Sequence, residues 1–279
     1  MKSVVRMTIG ALVVALSLAT TACEDDGRTG ILTDEPAPPT TETATPEPST
    51  TTAAPTTTPP PPVPLVGAVP GNAAAAPALT AWADDLVSLT PDALAARCWG
   101  KPPNTVTAQY TDVAAIFAAL ATPGVDGPYA STWSAGGLSV SAQHSDIATG
   151  YACPYVYTSG QPTFYSSDDA AYAVVRFLSR ATGRPVNPRD VEAFFPLICP
   201  GNSPWDPNAT GDGDRPPLKL TPDQLAGTRS FDAEAAIVTA LQGDYVAVDL
   251  PVTDASGTTK TVRFTLSVGP DGYCLGSAA

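Results

Sequence analysis

The chain has 279 residues, with 27 acidic against 14 basic side chains, a net charge of −13 and a single histidine. No basic run interrupts this acidity, which argues against nucleic acid as a partner and against electrostatic docking to anionic lipid. One histidine excludes a transition-metal site built from several imidazoles. None of the five cysteines shows the C-x-x-C spacing of a zinc or thioredoxin-like centre.

At the N-terminus, Lys2 and Arg6 precede an apolar run from Met7 to Leu18. The run is shorter than the roughly 20 residues that cross a bilayer. Ala19-Thr20-Thr21-Ala22-Cys23 follows, then Glu24-Asp25-Asp26. Residues 1–22 therefore read as an export signal peptide. The cysteine after small residues resembles the lipobox of bacterial lipoproteins. Ala22 fits the position before the cysteine, and Thr20 stands where that family usually has Leu. The Ala-, Pro- and Gly-rich, lysine-poor composition makes the likeness one to actinobacterial lipoproteins. The resemblance implies that Cys23 becomes the first mature residue and carries diacylglycerol on its sulfur. Two or three acyl chains hold a protein on a membrane where one alone is marginal. A freely secreted chain cut near Ala22 is the alternative. The resemblance covers about the first 23 residues and is silent on the domain behind them.

Residues 23–64 read as a stalk. Between 34 and 64 stand 11 Pro and 10 Thr, with too little apolar surface to form a core. Pro-rich chain extends by about 3.1 Å per residue, so the segment could hold a domain up to ~100 Å from the membrane. Its composition also suits O-glycosylation. A Pro-rich ligand for a partner protein is the functional alternative to a spacer.

The globular remainder, 65–279, holds 20 acidic and 11 basic residues, and Lys101, Lys219 and Lys260 are its lysines. Helices are predicted over 79–89 and 91–97, the second opened by Thr90-Pro91-Asp92, an N-cap followed by Pro at the first helical position. Thr111 is expected to cap a helix with Val113, Ile116, Phe117 and Leu120 on one face. Strands follow near 131–142 and 151–158. Ser167 is expected to cap a helix reaching about Thr182 and ended by Gly183, with Ala171, Val174, Val175 and Leu178 as its buried stripe. Asn187-Pro188-Arg189 repeats the N-cap-Pro signal ahead of Cys199. A helix is predicted to open at Ser230 or Phe231, with Ala233, Ile237, Ala240 and Leu241 inward. Strands at 244–252, 260–268 and 272–276 close the chain, the first two joined by a turn at 254–257.

This order suggests an internal duplication. Ala115-Ile116-Phe117-Ala118-Ala119-Leu120 is similar to Ala236-Ile237-Val238-Thr239-Ala240-Leu241, and both Leu120 and Leu241 lie 33 residues before a cysteine. The expected fold class is α+β, as two tandem disulfide-stapled helix-helix-helix-hairpin units, 65–160 and 161–279. A single interlaced α+β domain is the alternative. The second unit would carry a loop insertion over 200–229. Besides Cys23 there are four cysteines, Cys98, Cys153, Cys199 and Cys274. An even number in an exported chain implies two disulfides, with three pairings open. If the duplication holds, the pairs are Cys98–Cys153 and Cys199–Cys274.

No catalytic residue is assigned. The loop Trp205-Asp206-Pro207-Asn208-Ala209-Thr210-Gly211-Asp212-Gly213-Asp214 places oxygen ligands Asp206, Asn208, Asp212 and Asp214 at alternate positions, a pattern that hard cations such as calcium use. Yet Pro217 stands where an EF-hand needs its bidentate Glu, and a turn-rich solvated loop has the same composition. His144 is the base that any Ser-His-Asp site would need, but there is no G-x-S-x-G elbow, and a hairpin turn explains its position. Of the paired carboxylates, Asp168-Asp169 suits a helix N-terminus and Asp84-Asp85 an exposed helix face. Trp82 reads as core, Trp99 and Trp205 as packing near disulfides, and Trp133 as a cleft or core residue. The functional reading is a cell-envelope lipoprotein that binds an envelope ligand or protein without catalysis and needs no cofactor. The alternative is a carboxylate-based extracellular hydrolase of envelope carbohydrate or lipid. An enzyme would show two convergent acids with raised pKa in a Trp-lined cleft. A binder would show an apolar pocket or patch without them.

Overall fold

The computed structural model describes residues 65–158, 165–202, 204–211, 213–269 and 271–279. The expected signal peptide, Cys23 and the stalk to residue 64 lie outside the described residues. The described chain is α+β and is dominated by two antiparallel sheets.

The first lobe runs α1 (Ala75–Ser88), α2 (Pro91–Arg97), α3 (Pro103–Gln109), α4 (Val113–Leu120), β1 (Val125–Asp126), β2 (Ala130–Ala135), β3 (Leu138–Gln143), α5 (His144–Ile147) and β4 (Tyr155–Thr158). Thr90 caps α2 by accepting from the Ala93 N–H, with Pro91 at the first helical position as expected. The cap of α4 is Asp112, which accepts from Ala115 N–H; it displaces the predicted Thr111 by one residue. The strands pair in the order β1-β2-β3-β4. The β2–β3 turn is Gly136-Gly137, both at positive φ, the geometry of a tight two-residue hairpin. His144 does not sit on a turn: it opens α5, directly after β3.

The second lobe runs α6 (Ser167–Ala181), α7 (Pro217–Leu220), β5 (Ser230–Phe231), β6 (Ile237–Ala240), β7 (Tyr245–Thr253), β8 (Thr259–Gly269) and β9 (Gly272–Ala278). Ser166, not Ser167, caps α6, in a reciprocal capping box with Asp169. The helix ends before Gly183 at φ +72°, as expected. Its buried face is Ala170, Ala173, Val174, Phe177 and Leu178, rotated from the predicted stripe, with Ala171 and Val175 half-buried. Burying Val174, Phe177 and Leu178 stabilises the fold by roughly 1.5–3 kcal/mol each. The sheet order is β5-β7-β8-β9, with β6 also on β7.

Two sequence expectations fail in this lobe. The helix expected from Ser230 to Leu241 is two short strands, and Ile237 is exposed rather than inward. β-Branched Ile237, Val238 and Thr239 suit a pleated edge, and β7 offers them a ladder from Val246 to Asp249. The segments aligned as repeats thus differ, one helical (α4) and one extended (β6). The second is the helix start at Asn187-Pro188. Asn187 Oδ1 instead accepts from Arg189 N–H, and Glu192 accepts from the N–H groups of Leu197 and Ile198, so side chains take the donors and the segment stays a chain of turns.

Each lobe has its own core. One joins Leu79, Trp82, Ile116, Leu120, Trp133 and Val140; the other joins Val174, Leu178, Leu218, Leu250, Phe264 and Leu275. Each lobe also closes its own disulfide, Cys98–Cys153 and Cys199–Cys274. The 200–229 segment is tied down at two places. Leu218 is fully buried, and Trp205 lies over Gly276 so closely that a Cβ there would meet its ring at 2.1 Å.

Candidate ligand-binding cleft

A cleft of about 1060 Å³ opens where the two lobes meet. The first lobe supplies the loop after α2, the α5 turn and the start of β4. The second supplies one face of α6, the 187–197 turns and the entry to β9. Hydrogen bonds stitch the seam between the lobes, in and beside the cleft. Tyr155 donates to Asp169 at 2.9 Å, Tyr172 donates to the Trp99 carbonyl at 2.9 Å, Asn104 donates to Asp168 at 2.8 Å, and Gln143 donates to Tyr165. Trp99 meets Phe195 edge-on at 4.8 Å, and Tyr155 meets Tyr165 at 5.5 Å.

Lys101 stands out among the lining residues. It is only 4 % exposed, yet among the described residues it makes no hydrogen bond or ion pair. Its ammonium lies 3.1 Å above the Tyr155 ring, a cation–π contact that supports one side of the charge and satisfies no N–H donor. Burial pulls its pKa down from 10.5 to about 8, with the charges of Asp146 and Asp169 resisting the fall. Asp169 is spoken for: one oxygen takes the Tyr155 hydroxyl and the other the Ser166 N–H and hydroxyl. Asp146 is different. Its carboxylate has no hydrogen-bond partner among the described residues, and it faces the same cleft. Burial raises its pKa, opposed by Lys101 and Arg176 and reinforced by Asp271.

The other cations of the wall are mostly committed. Arg97 pairs with Asp85 at 2.7 Å and covers the Tyr151 ring. Arg176 reaches Asp190 through two hydrogen bonds and lies 5.2 Å from the Trp99 ring. Burial alone would raise Asp190, but Arg176 and Arg180 together hold it below the usual carboxylate range. The aromatic hydroxyls stay protonated: desolvation raises Tyr151, Tyr155, Tyr165, Tyr172 and Tyr273. The cleft thus offers aromatic faces together with the uncommitted ammonium of Lys101 and two uncommitted carboxylates, Asp146 and the exposed Asp271.

The sequence candidates scatter. Trp82 and Trp133 are buried in the first core, with Trp133 donating to the Gly67 carbonyl at 2.8 Å, and Trp205 packs edge-on against Tyr245. Of the four tryptophans only Trp99 lines the cleft. Asp85 ties down Arg97 and Tyr151, and Asp84 is on the same helix, away from the cleft lining. His144 bonds Asp126 at 2.9 Å, but Ser131 donates to that same carboxylate at 2.6 Å rather than to the imidazole, so no nucleophile–base pair forms. In the acidic loop, Asp206 accepts from Thr210 and from Gly211 N–H, which lowers its pKa, and Trp205 pairs with Asp214 as a bridge. Asn208 is exposed, and Asp212 lies outside the described residues. No group of three or more His, Cys, Asp or Glu that could hold a metal occurs among the described residues.

Lys101 and Tyr155 were missed by sequence reasoning. The available signal was a domain with three lysines, one of them two residues beyond Trp99 and three beyond a bridged cysteine. A second was the polar-aromatic stripe Asp169, Tyr172 and Arg176 at helical spacing beside the apolar face of α6. No protein family matches this chain, and neither a curated protein nor a solved structure does.

Proposed function

We propose that this is a lipid-anchored envelope protein whose globular domain binds a saccharide in the cleft between its lobes, without catalysing its cleavage. The observation that carries the reading is the cleft itself: a volume of about 1060 Å³ walled by Trp99, Tyr151, Tyr165, Tyr172 and Tyr273. Pockets of this size with a few convergent polar groups suit small ligands. Sugars present an apolar C–H face to aromatic rings and hydroxyls that both donate and accept. Lys101 and Asp146 supply one uncommitted donor group and one uncommitted acceptor. The two lobes, each stapled by its own disulfide, form the two walls. The lipobox-like Cys23 would fix the protein to the membrane, and the Pro/Thr-rich stalk would carry the cleft into the envelope.

The hydrolase reading requires two acids in complementary states. Burial raises the pKa of Asp146, Asp169 is consumed as a helix cap and Asp271 is exposed, so among the described lining residues no second desolvated, uncommitted acid stands beside Asp146. Trp133 stands in the first core, and Trp205 packs on Tyr245 and Gly276; neither lines the cleft beside those acids.

The test is equilibrium binding followed by tryptophan emission. Trp82, Trp133 and Trp205 are buried, so a saturable change on adding soluble cell-wall glycan fragments reports Trp99. Binding that Tyr172→Ala abolishes in Trp99 emission, and that Trp99→Leu abolishes in titration calorimetry, with the glycan recovered intact, supports the proposal. Glycan cleavage lost in Asp146→Asn would replace it with the hydrolase. Release of the Cys23→Ser protein from membranes tests the anchor.

A further inference from the structure

We infer that Lys101 anchors a carboxylate carried by the saccharide, so that the cleft takes singly charged acidic sugars in preference to neutral ones. This rests on the saccharide reading above. Lys101 is 4 % exposed and lines the cleft, and its ammonium has no hydrogen-bonding partner among the described residues, so its N–H donors are left for an occupant. An unpaired buried charge is expensive, and an oxygen anion is the group that relieves it most. Tyr155 covers one side of the amine, which confines the approach of that anion to the cleft. Arg97 and Arg176 are already neutralised by Asp85 and Asp190. Among the described lining residues, Arg189 is the other cation without an ion pair, and it is exposed at the rim.

The neighbouring acids limit the ligand's charge. Asp169 on α6, Asp146 on α5 and Asp271 before β9 all line the cleft with Lys101, and Tyr155, Tyr165 and Arg176 complete its polar surroundings. One carboxylate can meet Lys101, but each further negative charge would face one of these aspartates. Polyphosphates and multiply charged glycans are thereby disfavoured.

The experiment uses the full-length chain labelled with ε-13C lysine, in which Lys2, Lys101, Lys219 and Lys260 give few signals and Lys101→Arg assigns one. The probes are N-acetylmuramic acid and N-acetylglucosamine, which share a ring and an acetamido group and differ by a lactyl carboxylate. The expected result is about tenfold tighter binding of the acid, with the Lys101 pKa moving up by about a unit. Lys101→Gln should erase that preference and Lys101→Arg should keep most of it. Equal binding of both sugars, unchanged in Lys101→Gln, overturns the carboxylate anchor and leaves the saccharide reading standing. Inorganic pyrophosphate binding more tightly than the acid sugar overturns the single-charge limit and with it the inference. No response of the Lys101 signal or Trp99 emission to either sugar overturns both readings.

Discussion

Lys101→Met should make the domain more stable, not less. A fall in pKa from 10.5 to about 8 corresponds to about 3 kcal/mol held against the charged form. The contact with Tyr155 returns on the order of 1–2 kcal/mol of that. Methionine fills nearly the same volume without the charge, so the net gain at pH 6.5 is about 1–2 kcal/mol. The pH dependence follows from the sign of the shift. Below pH 8 lysine is protonated in both states and the folded state bears the whole cost. Between 8 and 10.5 the folded protein sheds the proton while the unfolded chain keeps it, so wild-type stability rises with pH. Relative to Lys101→Met, the rise over pH 8 to 9.5 should be about 1.6 kcal/mol. The buried tyrosines oppose this near the top of the window, because the unfolded chain begins to ionise tyrosine as pH nears 10 while the raised folded-state pKa values hold those protons; the lysine effect is therefore read as the difference between wild type and Lys101→Met at each pH. Urea unfolding with disulfides intact, measured at half-unit pH steps, reads both effects. A destabilisation of 1 kcal/mol or more in Lys101→Met, or the same pH slope in variant and wild type, would refute the burial argument.

Other expected outcomes concern the scaffold. Asp190→Ala leaves Arg176 and Arg180 facing each other without their buried carboxylate and should cost about 3–5 kcal/mol in urea unfolding. Arg263→Gln breaks an exposed, solvent-screened pair with Asp249 and should leave the same midpoint within the scatter of replicate measurements. Gly276→Ala drives a methyl into the Trp205 ring and should lower stability by about 1–3 kcal/mol, with a shift in Trp205 emission. Removing Cys199–Cys274, which closes 75 residues, should cost about 4 kcal/mol, seen as a lower melting temperature under identical buffer.

Local signals were legible where one residue decides the conformation. Thr90-Pro91 opens α2 as the sequence proposes, Gly183 ends α6, and the alternation of Val262, Phe264 and Leu266 marks β8. The disulfide pairs also follow from the repeat argument, although that argument's main alignment fails: 115–120 is helical and 236–241 is not. Ala-Ile-Val-Thr-Ala-Leu satisfies a helical period by composition alone. The ladder on β7 decides the matter, and no local count contains a partner strand. The cleft was hidden for a related reason. Lys101, Asp146, Tyr155, Asp169 and Asp271 come from five separate segments, so only tertiary apposition makes them neighbours.

The placement of the bridges bears on how the site works. Both disulfides lie within a lobe, and none crosses the seam between Trp99, Tyr155 and α6. The seam is held by hydrogen bonds such as Tyr155–Asp169, Tyr172–Trp99 and Asn104–Asp168. Each is worth about 0.5–1.5 kcal/mol net, whereas each bridge contributes about 4. The stiff constraints therefore shape the walls, and the weak ones join them. A ligand held by Lys101 on one side and by Tyr172 and Arg176 on the other would add contacts where the fold has fewest. It would then raise the free energy of every opening that releases it, seam opening and global unfolding alike, by about RT ln(1 + [L]/Kd). Saturating ligand should accordingly slow hydrogen exchange at the start of β4 and along the Asp169–Arg176 face of α6. Exchange at Val248 and Leu250 of β7, in the core that α6 helps to form, should slow by the same factor, because the unfolding that exposes them also releases the ligand.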